Sequence, residues 1–289
     1  MYFDEDVVLD LRFNYLNQFV DQFVIVESRF THSGRKKDLK FNIENFKEFR
    51  DKIKYLVVED EPKGIETVFE NDTKYHVSRK YILNAAKREN HQRNFIENGL
   101  DDASPEDLVL ISDLDEIPKL ENINFKNIKS KIIFFQQKMF YYKFNLCSKN
   151  INWVGTKACK LKDLVSPQWL RNIKDKKYPF WRLDIFFSKN KYNDITFVED
   201  GGWHFSYLKD PKDIENKLKS YLHHLEYDEN PLGVNKIQEM IKQKKSIYDL
   251  KVDMRSSKFN KGQHLTKVEL AELPGYIKNN KEKYKLWLE

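Results

Sequence analysis

The strongest constraint on this chain is a recurring pair of patterns. A helix-period amphipathic segment is followed by a short apolar run rich in β-branched residues. Residues 6–21 (DVVLDLRFNYLNQFVD) put Val8, Leu11, Tyr15 and Phe19 at helical spacing. Residues 23–27 (FVIVE) then read as a strand buried on both faces, as in a parallel sheet. A polar loop, THSGRKK, precedes a second predicted helix (IENFKEFRDKI) and a second buried strand (KYLVVED). This alternation is the α/β signature. Residues 77–98 predict a polar helix with Gly99 at its C-cap. SPED (104–107) is a turn, and LVLIS (108–112) is the third buried strand. Residues 131–145 predict one long strand or a hairpin, and 150–208 strands and loops. Residues 213–227 and 235–245 predict helices, and LPGYIKNNKEKYKLWLE a closing helix or arm.

No repeat and no Pro/Gly-rich linker divides the 289 residues. The expectation is an α/β catalytic domain over 1–230, a mixed central sheet flanked by helices, with a helical extension over 231–289 packed on it. A charged fraction of 33% excludes a membrane-embedded chain, and 14% aromatic residues exclude a disordered one. The net charge of +6 fits an anionic ligand or weak contact with an acidic membrane surface; it is too small to argue for nucleic acid. The cysteines, Cys147 and Cys159, are too few for a disulfide scaffold, which points to a reducing compartment. The acidic N-terminus lacks a signal-peptide pattern, and no apolar run approaches the roughly 20 residues of a spanning helix. A cytoplasmic protein without a transmembrane anchor is therefore expected.

The sharpest chemical motif is LVLISDLDEIP (108–118), where Asp113, Asp115 and Glu116 follow directly on a buried strand. Ligands of open α/β sheets bind beyond the carboxyl ends of strands. Carboxylates two apart on extended chain face the same side, so Asp113 and Asp115 can share one hard cation, Mg²⁺ or Mn²⁺, with a substrate diphosphate. Solvated acidic turns carry the same letters. In FVEDGGWHFSYL (197–208), His204 is either a metal ligand or a satisfied buried histidine. Asp200 and Glu199 are candidate general bases, with Glu116 a further carboxylate for that role, and Trp203 is either a sugar platform or a core anchor. In VESRFTHSGRKK, Glu27, Thr31, His32 and Lys37 offer hydrogen bonds and charge suited to a nucleotide or phosphate. Arg93 in KRENHQRN either meets donor phosphates or pairs with Glu89 at i,i+4. The lysine runs Lys174, Lys176, Lys177 and Lys242, Lys244, Lys245 read as solvated faces.

Taken in order, FVIVESRFTHSGRKKDLKF, RENHQRNFIENGL, DLVLISDLDEIP, GGWHFSY and KLKSYLHH resemble glycosyltransferase family 17 from roughly residue 3 to 228. The resemblance implies a GT-A-type nucleotide-diphosphate-sugar transferase fold, a divalent metal (Mn²⁺ or Mg²⁺) and inverting transfer. The implied donor is UDP-GlcNAc, and the implied acceptor a glycan or other hydroxyl. By the same resemblance Asp113 and Asp115 match the family's D-x-D pair, with Asp113 also toward the donor ribose, and His204 becomes a further metal ligand. Two other classes share the motif. A haloacid-dehalogenase-like phosphotransferase would use the first Asp as nucleophile, but it expects a Thr where this chain has Ile117. A non-catalytic glycan- or nucleotide-binding module is the second.

Overall fold

The structure is a computed structural model describing residues 1–176, 178–179, 181–185, 187–221, 224–248 and 262–289. Lys177, and Leu222 and His223 within the predicted helix 213–227, lie outside the described residues. Helix α1 (Asp6–Leu16) buries Val8, Leu9, Leu11, Phe13, Tyr15 and Leu16. It stops short of the predicted end, and Phe19 beyond it is 37% exposed. Phe13 meets Phe23, Phe46 and Phe49 with ring centroids 4.8–5.4 Å apart, which ties α1 to the next two segments.

Strands β1 (Phe23–Ser28) and β2 (Ile53–Val58) pair in parallel, as their apolar runs predicted. The predicted helix between them is a 3-10 segment, Ile43–Lys52, broken at Phe46 (φ −132°, ψ 28°). Helix α2 (Lys74–Asn94) is capped by the Thr73 hydroxyl, which accepts from the His76 N–H. Gly99 is not its cap. It closes a 3-10 turn, Phe95–Gly99, and a Cβ there would lie 2.6 Å from a Val24 methyl, so close packing on β1 is what requires glycine.

The third apolar run departs from the parallel expectation. β3 (Leu108–Ile111) does not extend β1 and β2 but joins a separate seven-stranded mixed sheet. That sheet also holds β4 (Glu116–Pro118), β5 (Ile132–Tyr141), β6 (Leu146–Lys160), β7 (Ile195–Val198), β8 (Gly202–Ser206) and β9 (Thr266–Lys267). Its order is β3-β6-β5-β8-β4, with β7 also beside β5 and β9 beside β6. β3 is antiparallel to β6, and β5 and β6 form a hairpin. β7 and β8 pair in parallel with successive halves of β5, and β8 pairs antiparallel with β4.

Helices α3 (Pro167–Asn172), α4 (Pro211–Leu218), α5 (His224–Glu229), α6 (Gly233–Lys242) and α7 (Gly275–Asn279) complete the described fold. Ile214, Leu218 and Ile237 share a core with Met139 and Tyr141 of β5. Val268, Leu273, Ile277 and Tyr284 share the main core with α1. Residues beyond 230 are thus built into the same cores as the sheet.

The chain must step between β7 and β8 while staying against β4, and Gly202 does this at φ +131°. A Cβ there would sit 2.2 Å from the Ile117 carbonyl oxygen. Gly202→Ala is expected to lower unfolding free energy by about 2–4 kcal/mol, from left-handed strain plus displacement of β4. A urea denaturation midpoint at the wild-type value would contradict this.

Candidate active site

The D-x-D segment is a turn held from three sides. Arg12 of α1 donates to the Glu116 carbonyl and to the Ser112 hydroxyl, both at 2.6 Å. The Phe205 N–H of β8 donates to the Asp115 carbonyl at 2.8 Å, and the Asp113 N–H donates to Glu116 Oε2 at 2.9 Å. Because the chain turns here, the period-two alternation expected for Asp113 and Asp115 does not hold. Asp113 faces Arg93 (3.1 Å) and Arg171 (3.0 Å). Asp115 faces His204 Nε2 and Lys217 Nζ, each at 3.4 Å.

Burial disfavours charge on both carboxyls, but the neighbouring cations outweigh it. Arg171 and Arg93 hold Asp113 well below the usual carboxylate range, and Lys217 and His204 do the same for Asp115. In return, Asp115 raises the His204 pKa against the pull of burial. Lys217 also bonds Glu5 at 3.1 Å. Burial works against the Glu5 charge too, yet Lys217 and Lys209 bring it down to about 2.

Glu116 is wholly buried and accepts four hydrogen bonds. Two come from Arg171 (2.8 and 2.9 Å), one from Trp153 Nε1 (2.7 Å) and one from the Asp113 N–H. With every lone-pair direction engaged, Glu116 supports the turn and is not placed as a base. Arg171 comes from α3, whose first turn is capped by Ser166.

Glu5, Arg93, Asp113, Asp115, Arg171, His204 and Lys217 line a cleft of about 780 Å³ beyond the end of β3. Its lining includes the polar and charged Thr31, His32, Lys37, Glu89, Gln92, Arg93 and His204 and the apolar or aromatic Met139, Tyr141, Trp153, Tyr207 and Tyr221. The size falls within the roughly 300–1,000 Å³ of small-molecule sites. Burial keeps the His32 ring below its usual pKa, and its Nε2 meets Gln92 at 3.1 Å.

Of the residues expected from the sequence, Thr31, His32, Lys37, Arg93, Asp113, Asp115 and His204 are brought together here. Glu27 is not. It is fully buried, engaged by Lys37, the Lys40 and Phe41 N–H groups and the Tyr55 hydroxyl, and it organises the loop behind the cleft. Asp200 and Glu199 are exposed and outside the cleft lining. Asp200 pairs with Lys119 and Lys138 at the start of β8, whereas His204 sits further along that strand. Trp203 is a core anchor, its Nε1 donating to the Glu272 carbonyl and its ring edge-on to Tyr15.

Among the described residues, no group of three His, Cys, Asp or Glu side chains converges as a metal centre. Asp115 and His204 do present an oxygen and a nitrogen side by side, and His204 Nδ1 is buried without a hydrogen-bond partner. That two-donor set suits a borderline-hard dication whose remaining shell comes from diphosphate and water. Asp113, held by two arginines, does not join it.

Residues 1–162 match the family model for glycosyltransferase family 17. The chain belongs to glycosyltransferase family 17. It is 25% identical over 229 residues to the rat and human β-1,4-mannosyl-glycoprotein 4-β-N-acetylglucosaminyltransferases. The mouse enzyme is 24% identical over the same length. Each alignment covers 74% of this chain and 40% of the relative, so the chain spans well under half the length of these curated relatives. No solved structure matches. The matched region contains the D-x-D turn, Arg12 and Arg93, and it ends before Arg171, His204 and Lys217.

Arg171, Lys217, Glu5 and Trp153 escaped the reading of site residues from sequence. Lys217 did stand in the KLKSYLHH segment that carried the family resemblance, whereas Arg171 lies in no motif. Arg171→Met is expected to cost about 3–5 kcal/mol because it strands the Glu116 charge, with part recovered when Glu116→Gln is added. Equal stability of the single and double variants by chemical denaturation would refute that coupling. Glu5 has a folded pKa of about 2 against an ordinary 4.5, so its contribution is complete above 4.5 and lost as pH falls toward 2. Glu5→Gln should therefore cost of the order of 2–3 kcal/mol at pH 7 and nearly nothing at pH 2. A destabilisation independent of pH would remove the charge from that account.

Proposed function

We propose that this chain transfers a sugar from a nucleotide-diphosphate donor to a hydroxyl acceptor, in the manner of a GT-A-type inverting glycosyltransferase. The observation that carries the reading is the cation-walled D-x-D turn in a ligand-sized cleft beyond β3, in a chain of glycosyltransferase family 17. An N-acetylglucosaminyl donor and a mannosyl-glycan acceptor are proposed from the names of the rat and human relatives, and UDP as the nucleotide is proposed from the family resemblance.

In this reading Arg93, Arg171, Lys217 and Lys37 orient the donor diphosphate and stabilise the charge that develops as the anomeric C–O bond breaks. Asp115 and His204 would hold a dication, Mn²⁺ or Mg²⁺, which would supply Lewis-acid stabilisation to the leaving diphosphate. His32, uncharged at neutral pH, with Gln92 and Thr31, offers hydrogen bonds to the nucleoside. Trp153, Tyr207 and Tyr221 offer aromatic surface to sugar rings. The acceptor oxygen attacks the anomeric carbon in line, and its proton passes to a carboxylate. Within the cleft lining, Glu5 is buried and Glu89, Asp113 and Asp115 are half-buried, while Glu226 on α5 is exposed, where an acceptor arriving from solvent reaches it. Glu226 takes the base role here.

A transfer assay with UDP-GlcNAc, Mn²⁺ and a mannose-containing glycan tests this. Asp115→Asn should reduce kcat/KM by roughly 10³-fold or more. Glu226→Gln should keep the donor-induced rise in melting temperature while reducing kcat by roughly 10²–10⁴-fold. Activity of Asp115→Asn equal to wild type would sink the metal role, and normal turnover of Glu226→Gln would remove it as the base.

A further inference from the structure

The segment between α3 and β7 has features that the cleft does not explain. Its base is closed: the Lys174 N–H donates to the Asn190 carbonyl at 3.0 Å, and Trp169 Nε1 donates to the Lys189 carbonyl at 3.0 Å. Trp169 and Tyr192 meet edge-on there at 5.7 Å. Beyond that pinned base two large side chains project. Trp181 is 65% exposed and Phe187 is 91% exposed.

Cations flank these rings in the sequence. Lys174, Lys176, Arg182, Lys189 and Lys191 stand against Asp175 and Asp184, five positive charges to two negative. Asp184 is shared by Arg182 and Lys191, so the surplus remains positive. An exposed Phe and Trp are unfavourable in water and marginal for packing against a protein without a groove to receive them. At a lipid headgroup layer the same set is favourable. Aromatic rings enter the interface, lysine stems follow them, and ammonium and guanidinium groups meet anionic headgroups.

We infer that the tip bearing Trp181 and Phe187 seats this protein on an anionic bilayer surface, with Lys174, Lys176 and Lys189 supplying the electrostatic attraction. The contact is peripheral: among the described residues, no helix is long and apolar enough to cross a membrane. The segment follows directly on α3, which contributes Gln168, Arg171 and Asn172 to the cleft. The seat does not depend on which reaction the cleft performs.

The test is vesicle flotation of the full chain with phosphatidylcholine vesicles, with and without phosphatidylglycerol, at low and high salt. Binding should be at least about tenfold stronger to the anionic vesicles and should weaken with salt. Trp181→Ser combined with Phe187→Ser should weaken it by about tenfold or more while the protein still unfolds cooperatively on heating. Lys174→Glu combined with Lys189→Glu should abolish the anionic preference. Absence of flotation, or flotation of the Trp181/Phe187 double variant equal to wild type, overturns the proposal. So does retention on an immobilised glycoprotein that falls in the double variant while flotation is unchanged, which would reassign the tip to protein docking.

Discussion

A carboxylate shut away from water needs fixed donors on every side, and Glu116 is the point where this protein meets that requirement. Its four hydrogen bonds come from three different parts of the chain: the D-x-D turn itself, Trp153 in the long hairpin strand and Arg171 on the short helix after it. Arg171 then reaches onward to Asp113 and to the Gly155 carbonyl. One buried ion pair thus fastens turn, sheet and helix together. Gly155 completes the joint, because a Cβ there would fall 2.7 Å from the Glu116 carboxyl carbon. The energetic gain of such a pair over an apolar substitute is small, whereas the cost of losing one partner is large. Its value here is geometric: it decides which way Asp113 points.

That direction explains the division of labour in the cleft. Two aspartates separated by one residue would be equivalent ligands on an extended strand. On this turn they are not. Asp113 is committed to the two arginines, and Asp115 to His204 and Lys217. Arg12 enforces the turn from behind by donating to the Glu116 carbonyl. Burial lowers its pKa to about 10 against the pull of the acidic turn, so it is still charged at neutral pH. Lys157 plays the matching part at the end of α3. It donates to the carbonyls of Arg171 and Ile173 and lies over the Phe134 ring, and burial lowers it to about 8.

Much of the frame was legible in the sequence because apolar periodicity reports burial directly. The runs at 23–27, 54–60 and 108–112 are strands, and the aromatic stretch at 131–145 opens a hairpin. What periodicity does not report is partnership. Nothing in LVLIS says that β3 pairs antiparallel with a strand some fifty residues later in place of extending β1 and β2. The 43–52 segment has helical spacing, but Phe46 leaves helical dihedrals to face the core, and tertiary packing wins over local pattern. The same limit governs the site. D-x-D stood out because it follows an apolar strand, and His204 because of the family resemblance. Asp200 shared a motif with His204 but lies before β8 begins, turned to Lys119 and Lys138 outside the cleft. Arg171 is an ordinary surface letter in sequence, and only the fold turns it inward.

The charge inventory around the turn sets the terms on which any ligand enters. Glu5, Asp113, Asp115 and Glu116 are matched by Arg12, Arg93, Arg171 and Lys217, and Glu89 adds a further carboxylate beside Arg93. A cleft so nearly balanced, five carboxylates to four cations, gains little from a lone dication, which would meet Lys217. It gains equally little from a lone diphosphate, which would have to draw Arg93 and Arg171 away from Asp113. In the proposed reaction the two arrive with opposite charge, so together they leave the balance nearly unchanged, and each offsets the electrostatic cost of the other. Were the proposed cation and donor both to bind, each would strengthen the other, since a coupling free energy between two ligands acts equally on both. The same arithmetic disfavours binding of a bare nucleoside, which brings no charge to exchange with the arginines.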